Sequence, residues 1–128
     1  MLYDIVHLED DKDTRGFVQS AATHRNFIYL GLPCLNALEE TLRVHNGRIF
    51  VVDGRFPREQ DGQVLELAGE AIEMIRATYP SADVVLYSSL RNGQEIANRY
   101  KTRFISKNTV LARPMVDELQ KVLASAPQ

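Results

Sequence analysis

Short apolar runs alternate along the chain with longer segments in which apolar residues recur every three or four positions. The first, third and fourth runs carry the β-branched or aromatic residues that favour strands. The five runs cover Leu2–Leu8, 27–30, 49–52, 84–87 and 104–105. The segments between and after them carry a helical period: from Asp11 or Asp13 to about 25, 36–45, 63–79, 93–100 and 114–124. The pattern predicts five strand–helix units in succession.

Strands that are separated by single helices pair in parallel through right-handed crossovers. We therefore expect an α/β, flavodoxin-like (βα)5 doubly wound sheet, with five parallel strands in the order 2-1-3-4-5 and helices on both faces. The length of 128 residues is too short for an eight-stranded α/β barrel. It gives room for one domain, which we place over residues 1–128.

Several predicted helices place apolar residues on one face, and we expect those faces to be buried. The residues are Phe17, Val18, Ala21 and Ala22 in the first helix, Val64, Leu67, Ala68, Ala71, Ile72 and Ile75 in the third, and Met115, Leu119 and Val122 in the fifth. We expect the Asn46-Gly47 pair to end the second helix, because such residues commonly follow a helix C-terminus.

The composition excludes several classes of partner but does not indicate a particular chemistry. Fifteen Lys and Arg against seventeen Asp and Glu give a net charge of −2, which provides no field for attracting nucleic acid or an anionic membrane. The one cysteine, Cys34, cannot form an intrachain disulfide, and we expect it to be a packed side chain. The N-terminal residues lack the basic segment of a signal peptide. We expect a cytoplasmic protein that contacts neither membrane nor nucleic acid.

Polar side chains follow four of the five predicted strands. They are Glu9, Asp10 and Asp11 after the first, Asp53 after the third, Ser88 and Ser89 after the fourth, and Lys107 after the fifth. Ligands of open α/β sheets bind outside the carboxyl ends of the strands, at the switch point between strands one and three. The second strand, which lies off that point, is followed only by Gly31 and Leu32. Folding should therefore bring the carboxylates, a hydroxyl and an ammonium into one crevice.

Carboxylates that are held together repel one another and must either take up a proton or bind a cation. A cluster of oxygen ligands without His or Cys suits Mg²⁺. A hydroxyl and a lysine suit a phosphoryl group, and a carboxylate can itself be the nucleophile that forms an acyl phosphate. Taken singly, each residue has an ordinary explanation: Asp11 can cap a helix, Asp53 can precede a turn, and Lys107 can be a surface charge. Their combination favours phosphoryl chemistry on an aspartate.

Short motifs in the same order carry a family resemblance. They are IVHLEDD with the acidic pair Glu9 and Asp10, Arg15 in the first helix, VVDGRFP with Asp53 and Pro57, Asp61-Gly62, VVLYSS with Ser88 and Ser89, and FISK with Phe104 and Lys107. Together they resemble the CheY-like receiver domain of two-component response regulators over essentially the whole chain. In that family the Asp-Gly pair opens the third helix.

The resemblance implies a role for each residue. Glu9, Asp10, Asp53 and the main-chain carbonyl of Arg55 would hold Mg²⁺. Asp53 would accept a phosphoryl group from a sensor histidine kinase or a histidine phosphotransfer protein. Lys107 and Ser88 would bind the phosphoryl oxygens.

Phe104 would then turn inward and change the face formed by the fourth helix, the fifth strand and the fifth helix. A downstream protein target would bind this face, and a homodimer through it is a further family-level expectation. Such a domain is a signalling module rather than an enzyme, apart from its own phosphorylation and slow autodephosphorylation. We expect no DNA-binding or enzymatic output domain within these residues.

The sequence also departs from the family pattern. Asn108 follows Lys107 where the family commonly has a proline in a cis peptide, and Asn makes a cis bond unfavourable. Gly54 and Arg55 are uncommon residues directly after the acceptor, and the segment from Asp53 to Ser88 is a few residues longer than usual.

Three other functions are alternatives to that of a phosphoacceptor domain. A pseudo-receiver would use the fold to bind partners without phosphorylation, and the complete set of acidic, hydroxyl and lysine residues counts against it. A phosphohydrolase of the haloacid dehalogenase type needs an acid two residues after the nucleophile, where this chain has Arg55. A flavodoxin or P-loop protein is disfavoured because no G-x-x-x-x-G-K-[ST] motif is present and the acidic turn after the first strand would repel phosphate without a metal. The histidines His7, His24 and His45 are scattered, and we expect His7 to lie in the core or at a sheet edge.

Overall fold

A computed structural model describes residues 1–125 and contains a five-stranded sheet with helices on both faces. The strands are β1 Leu2–Leu8, β2 Tyr29–Leu32, β3 Asn46–Val52, β4 Phe56–Pro57, β5 Val64–Leu65, β6 Asp83–Ser88 and β7 Arg103–Ser106. The helices are α1 Lys12–His24, α2 Leu35–Val44, α3 Ala68–Thr78, α4 Gly93–Tyr100 and α5 Ala112–Ser125. Within residues 1–125, no helix has the length and hydropathy needed to cross a bilayer.

The main sheet has the order β2-β1-β3-β6-β7, and every neighbouring pair is parallel. Counted along the chain, these strands stand in the order 2-1-3-4-5, so the predicted fold class is confirmed. The strands β4 and β5 form a separate antiparallel pair. The strands β2 and β3 lie on opposite sides of β1, so the strand order reverses there and the switch point of the sheet lies between the ends of β1 and β3.

Alternate residues of the central strands pack into two apolar layers. Val6 and Phe50 face α2, α3 and α4, whereas Ile5 and Val51 face α1 and α5. The predicted buried positions Val18, Ala21, Ala22, Leu67, Ala68, Ala71, Ile72, Ile75, Met115 and Leu119 are confirmed, and Val122 is half-buried. Cys34 is buried, as expected. Val64 is 40% exposed, so its predicted burial is wrong. Phe17 is 67% exposed, so its predicted burial is wrong as well. It lies at the edge of the apolar stripe of α1, beside a surface groove that Leu111 also lines.

The predicted start of the third helix at residue 63 is also wrong. Val64 and Leu65 form β5 and pair with β4, and α3 begins only at Ala68. Asp61 adopts a left-handed φ of 63°, and the Gly62 N–H donates to the Glu59 carbonyl at 3.0 Å. This turn brings the two short strands together. Asp61 and Gly62 therefore lie in a hairpin turn and do not open the helix.

The Asn46-Gly47 pair belongs to β3 rather than to the end of a helix. The α2 helix ends at Val44, and the Asn46 N–H donates to the Met1 carbonyl at 3.0 Å. A Cβ on Gly47 would lie 2.7 Å from Val6 Cγ2, so packing against β1 excludes a larger residue here.

The second strand starts later than predicted, because the Phe27 N–H is held by the Ala22 carbonyl at the end of α1.

Candidate functional site

Carboxylates and an ammonium meet at the carboxyl end of the sheet. Carboxylate oxygens of Glu9, Asp10 and Asp53 all lie within 4.8 Å of one another. The Lys107 Nζ contacts Glu9 Oε1 and lies 3.2 Å from Asp53 Oδ1. Glu9 is 1% exposed and Asp53 is 9% exposed, and Asp10 is the most exposed of the three acids. The structure therefore brings together the three acids and the lysine that were predicted from the strand ends. We call these four residues the acidic pocket.

Main-chain hydrogen bonds hold the pocket by continuing the sheet beyond its strands. The Glu9 N–H donates to the Leu32 carbonyl at 2.9 Å, and the Asp53 N–H donates to the Leu8 carbonyl at 3.0 Å. The Lys107 N–H donates to the Ser88 carbonyl at 3.0 Å. Each side chain therefore leaves a fixed backbone, which preorganises the pocket.

Asp11 has the ordinary role of a helix cap. Its carboxylate accepts from the Thr14 hydroxyl at 2.6 Å and from the Asp13 N–H at 3.4 Å, at the start of α1. The hydrogen bond from Thr14 is the main cause that lowers the pKa of Asp11. The Asp11 carboxylate is therefore engaged outside the pocket, although its main-chain N–H donates to Glu9 Oε2 at 3.3 Å.

Burial and the neighbouring Asp53 raise the pKa of Glu9 to about 8. Burial lowers the pKa of Lys107, but the charges of Asp53 and Glu9 outweigh it and raise that pKa above its ordinary value. One lysine thus does not neutralise the pocket, which keeps a proton near neutral pH unless a second cation enters. Because the acids offer several oxygens and no nitrogen or sulfur, the donor set fits Mg²⁺.

Several solved structures share the fold of this chain. A CheY-like response regulator receiver domain from Methanospirillum hungatei superimposes with a TM-score of 0.78 at 12% identity, over 97% of this chain and 95% of its own. The receiver domain of a Francisella response regulator gives a TM-score of 0.78 at 13% identity, over 95% and 97%. The BeF3-activated receiver domain of DrrB gives 0.74 at 17% identity, over 97% and 99%. This chain has the receiver-domain fold. No protein-family model and no curated protein matches the sequence significantly.

In this receiver fold, Ser88 ends β6 with its side chain turned toward the residue after Asp53. Ser88 is 1% exposed, and its hydroxyl accepts the Leu90 N–H at 3.0 Å. A Cβ on Gly54 would lie 2.5 Å from both Ser88 Oγ and Leu90 Cδ1. Gly54 therefore gives Ser88 and Leu90 the space beside Asp53. Arg55 follows with an exposed side chain.

Phe104 of β7 packs against the first residue of α4. Its ring is half-buried, and a Cβ on Gly93 would lie 2.4 Å from Phe104 Cε1. Gly93 therefore provides the surface on which the ring lies. The aromatic residue that was expected to move on phosphorylation is in contact with the start of a helix on the expected signalling face.

Gly93→Ala should push the Phe104 ring out of this contact and destabilise the protein by about 1–3 kcal/mol, the usual cost of overpacking. Chemical denaturation measures the change. Gly16→Ala is the matched control, because Gly16 lies in α1 and an added Cβ would meet no atom within 4 Å apart from its chain neighbours and the adjacent backbone of its own helix. It should stabilise the protein by up to about 1 kcal/mol, the helix-propensity gain. Equal stability changes in the two variants would contradict a packing role for Gly93.

Two hydrogen bonds in and beside the acidic pocket could not be predicted from the sequence pattern. The Asn108 side-chain amide donates to the Ser89 carbonyl at 3.2 Å and so joins the loops that follow β6 and β7. The Lys107–Asn108 peptide bond is trans. The Arg15 guanidinium donates to the main-chain carbonyl of Glu9 at 2.5 Å. Both bonds end on backbone carbonyls, and such acceptors are present at every position of a sequence.

Proposed function

We propose that the chain is a phosphoacceptor receiver of a two-component phosphorelay. Mg²⁺-dependent phosphorylation of Asp53, from a sensor histidine kinase or a histidine phosphotransfer protein, switches the face formed by α4, β7 and α5. The observation that carries the proposal is the acidic pocket at the switch point of a receiver fold, with Lys107 in contact with two of its acids. The proposed location is the cytoplasm.

Burial favours Asp53 as the acceptor. Glu9 and Asp53 both contact Lys107, but Glu9 is almost fully buried, whereas Asp53 keeps some exposure beside the more exposed Asp10. A donor can therefore approach Asp53 from solvent. The Asp53 N–H is bonded into the sheet, so the carboxylate is presented from a fixed strand end.

The transfer makes one bond and breaks one bond. An oxygen of Asp53 forms a bond to phosphorus, and the phosphorus–nitrogen bond of the donor phosphohistidine breaks. The electron pair of that bond returns to the imidazole, which takes up a proton. The Lys107 ammonium, 3.2 Å from Asp53, would then pair with a phosphoryl oxygen.

The other residues bind and respond. Glu9, Asp10, Asp53 and the Arg55 carbonyl would hold Mg²⁺, which supplies positive charge to the phosphoryl oxygens. The Ser88 hydroxyl would exchange its hydrogen bond with Leu90 for one that it donates to a phosphoryl oxygen. Phe104, packed on Gly93, would carry the change to α4, where a downstream protein or a second copy binds.

The test is incubation with acetyl phosphate and Mg²⁺, followed by intact-mass spectrometry. We expect a single phosphoryl adduct on the wild-type protein. Asp53→Asn should show no adduct, because an amide oxygen is a much weaker nucleophile than a carboxylate, and chelation of the metal should remove the adduct as well. Glu39→Gln, on the exposed surface of α2, is the control that should keep it.

Other outcomes would select the other functions. An absence of adduct with any phosphodonor would leave the pseudo-receiver, which binds partners without phosphorylation. Continuous turnover of an unrelated phosphate ester would indicate a phosphohydrolase instead.

A further inference from the structure

A chain of polar groups runs beneath the acidic pocket, from the sheet to α1. His7 of β1 is fully buried, and its Nδ1 lies 2.7 Å from the hydroxyl of Tyr29 on β2. That hydroxyl lies 3.3 Å from the main-chain carbonyl of Arg15 on α1. The Arg15 guanidinium in turn donates to the carbonyl of Glu9. The chain thus links three elements and ends on the backbone of a residue of the pocket.

Gly31 provides the space for this arrangement. The parallel register of β1 and β2 places Gly31 beside His7. A Cβ at position 31 would lie 3.0 Å from the Tyr29 hydroxyl oxygen and 3.1 Å from Arg15 Cδ. Both side chains therefore occupy the volume that a larger residue would need. We use the name His7 chain for this closely packed group of four residues: His7, Gly31, Tyr29 and Arg15.

The Tyr29 hydroxyl has two neighbours, His7 Nδ1 and the Arg15 carbonyl, and only one placement of the protons gives a hydrogen bond to both. His7 is fully buried, and burial disfavours the charged form of an imidazole, so the ring carries one proton. Burial raises the pKa of Tyr29, so the phenol keeps its proton. The Tyr29 O–H can donate to the Arg15 carbonyl only if His7 Nδ1–H donates to the Tyr29 oxygen. No residue within the described range 1–125 is a hydrogen-bond partner of His7 Nε2, which is then an unprotonated acceptor rather than a buried unpaired donor.

We propose that Tyr29, held by His7, is a positioning residue for the acidic pocket. It fixes the first turns of α1 so that Arg15 keeps the Glu9 carbonyl, and with it the Glu9–Asp10 pair, in the orientation that binds Mg²⁺. This inference rests on the proposed function, since it concerns the same pocket. Glu9 and Asp10 lie where the chain turns from β1 into α1, so the direction of the Glu9 carbonyl affects both side chains.

Tyr29 is a better probe of the His7 chain than Arg15. Replacing Arg15 would remove a positive charge near the pocket, which favours cation binding, and would also release the Glu9 carbonyl, which disfavours it. The two effects oppose each other. Tyr29→Phe removes one hydroxyl, keeps the ring above Gly31 and changes no charge.

The test compares Tyr29→Phe with Tyr79→Phe in Mg²⁺ titrations followed by the backbone amide resonances of residues 9–13. Tyr79 is the matched control, because its half-buried hydroxyl also donates to a main-chain carbonyl, that of His45, 2.8 Å away at the opposite end of the sheet. Tyr29→Phe should weaken Mg²⁺ binding by about tenfold, the lower end for a residue beyond the direct ligands. Tyr79→Phe should leave the Mg²⁺ dissociation constant within about twofold of the wild-type value, which is our criterion for no change. This expectation holds whether or not Tyr79→Phe changes the melting temperature.

A second measurement needs no metal. Nitrogen-15 spectra of the His7 ring should show the Nδ1–H tautomer in the wild type and a change of the Nδ1 resonance in Tyr29→Phe. An Nε2–H tautomer in the wild type would overturn the inference, as would equal Mg²⁺ affinity in Tyr29→Phe and the wild type. If the wild type binds Mg²⁺ and forms the phosphoryl adduct in these cases, only the positioning role fails. If the wild type neither binds Mg²⁺ nor forms an adduct, the proposed function fails and the positioning role fails with it.

Discussion

Lys107→Met should slow phosphorylation of Asp53 by about 10²–10³-fold, as removal of one preorganised electrostatic contact does in other active sites. The Lys107 ammonium lies 3.2 Å from Asp53 Oδ1 and also contacts Glu9. It is therefore already in place where negative charge would develop on the phosphoryl oxygens in the proposed reaction. Methionine keeps much of the length of the side chain and removes the charge.

The measurement is the rate of adduct formation with acetyl phosphate at saturating Mg²⁺, followed by intact mass. Lys121→Met is the matched control, because Lys121 is an exposed lysine of α5 whose partner is Glu118 on the surface. It should leave the rate unchanged. A Lys107→Met rate within tenfold of the wild type would contradict the assigned role of the ammonium.

Without Mg²⁺, the contribution of Glu9 to stability should decrease as the pH rises from about 4.5 toward about 8. The pKa of Glu9 is about 8 in the folded protein and 4.5 in the absence of the fold, so the folded state binds more protons between these values. The contribution of Glu9 is therefore fully present below the lower pKa and is lost as the pH passes through the higher one. The steepest possible slope is about 1.4 kcal/mol per pH unit.

The measurement is the free energy of unfolding of the wild type and of Glu9→Gln at several pH values in chelating buffer. Glutamine cannot ionise, so the difference between the two proteins should favour Glu9→Gln increasingly as the pH rises. Added Mg²⁺ should restore the wild type at high pH, since the cation replaces the proton. A difference that stays constant between pH 5 and about 8 would show that Glu9 does not carry this proton.

The sequence predicts the pocket well because parallel pairing leaves little choice. Once β1, β3 and β7 are recognised as strands of one sheet, Glu9, Asp53 and Lys107 must meet at its carboxyl edge. The fold order follows from the same alternation of strands and helices. Neither conclusion needs to know how any single side chain packs.

What could not be predicted depends on contacts between distant residues. The hairpin of β4 and β5 replaces the first turn of the predicted third helix, because Asp61 takes a left-handed turn that helical spacing does not reveal. The fit of Leu90 over Gly54 joins two loops that are far apart in sequence. His7 is predicted to lie in the core or at a sheet edge and is buried in the core, but its bond to Tyr29 depends on the register of β1 and β2.

The short hairpin that follows Asp53 has a consequence for the entropy of cation binding. Only Gly54 and Arg55 separate buried Asp53 from Phe56, which is fully buried. The hairpin is itself tied to α2, because the Asn36 N–H donates to the Arg58 carbonyl at 2.9 Å. The backbone at Arg55 is thus anchored on both sides before any ion arrives. A carbonyl ligand supplied from this position would cost little chain entropy, since most of the ordering has already occurred during folding.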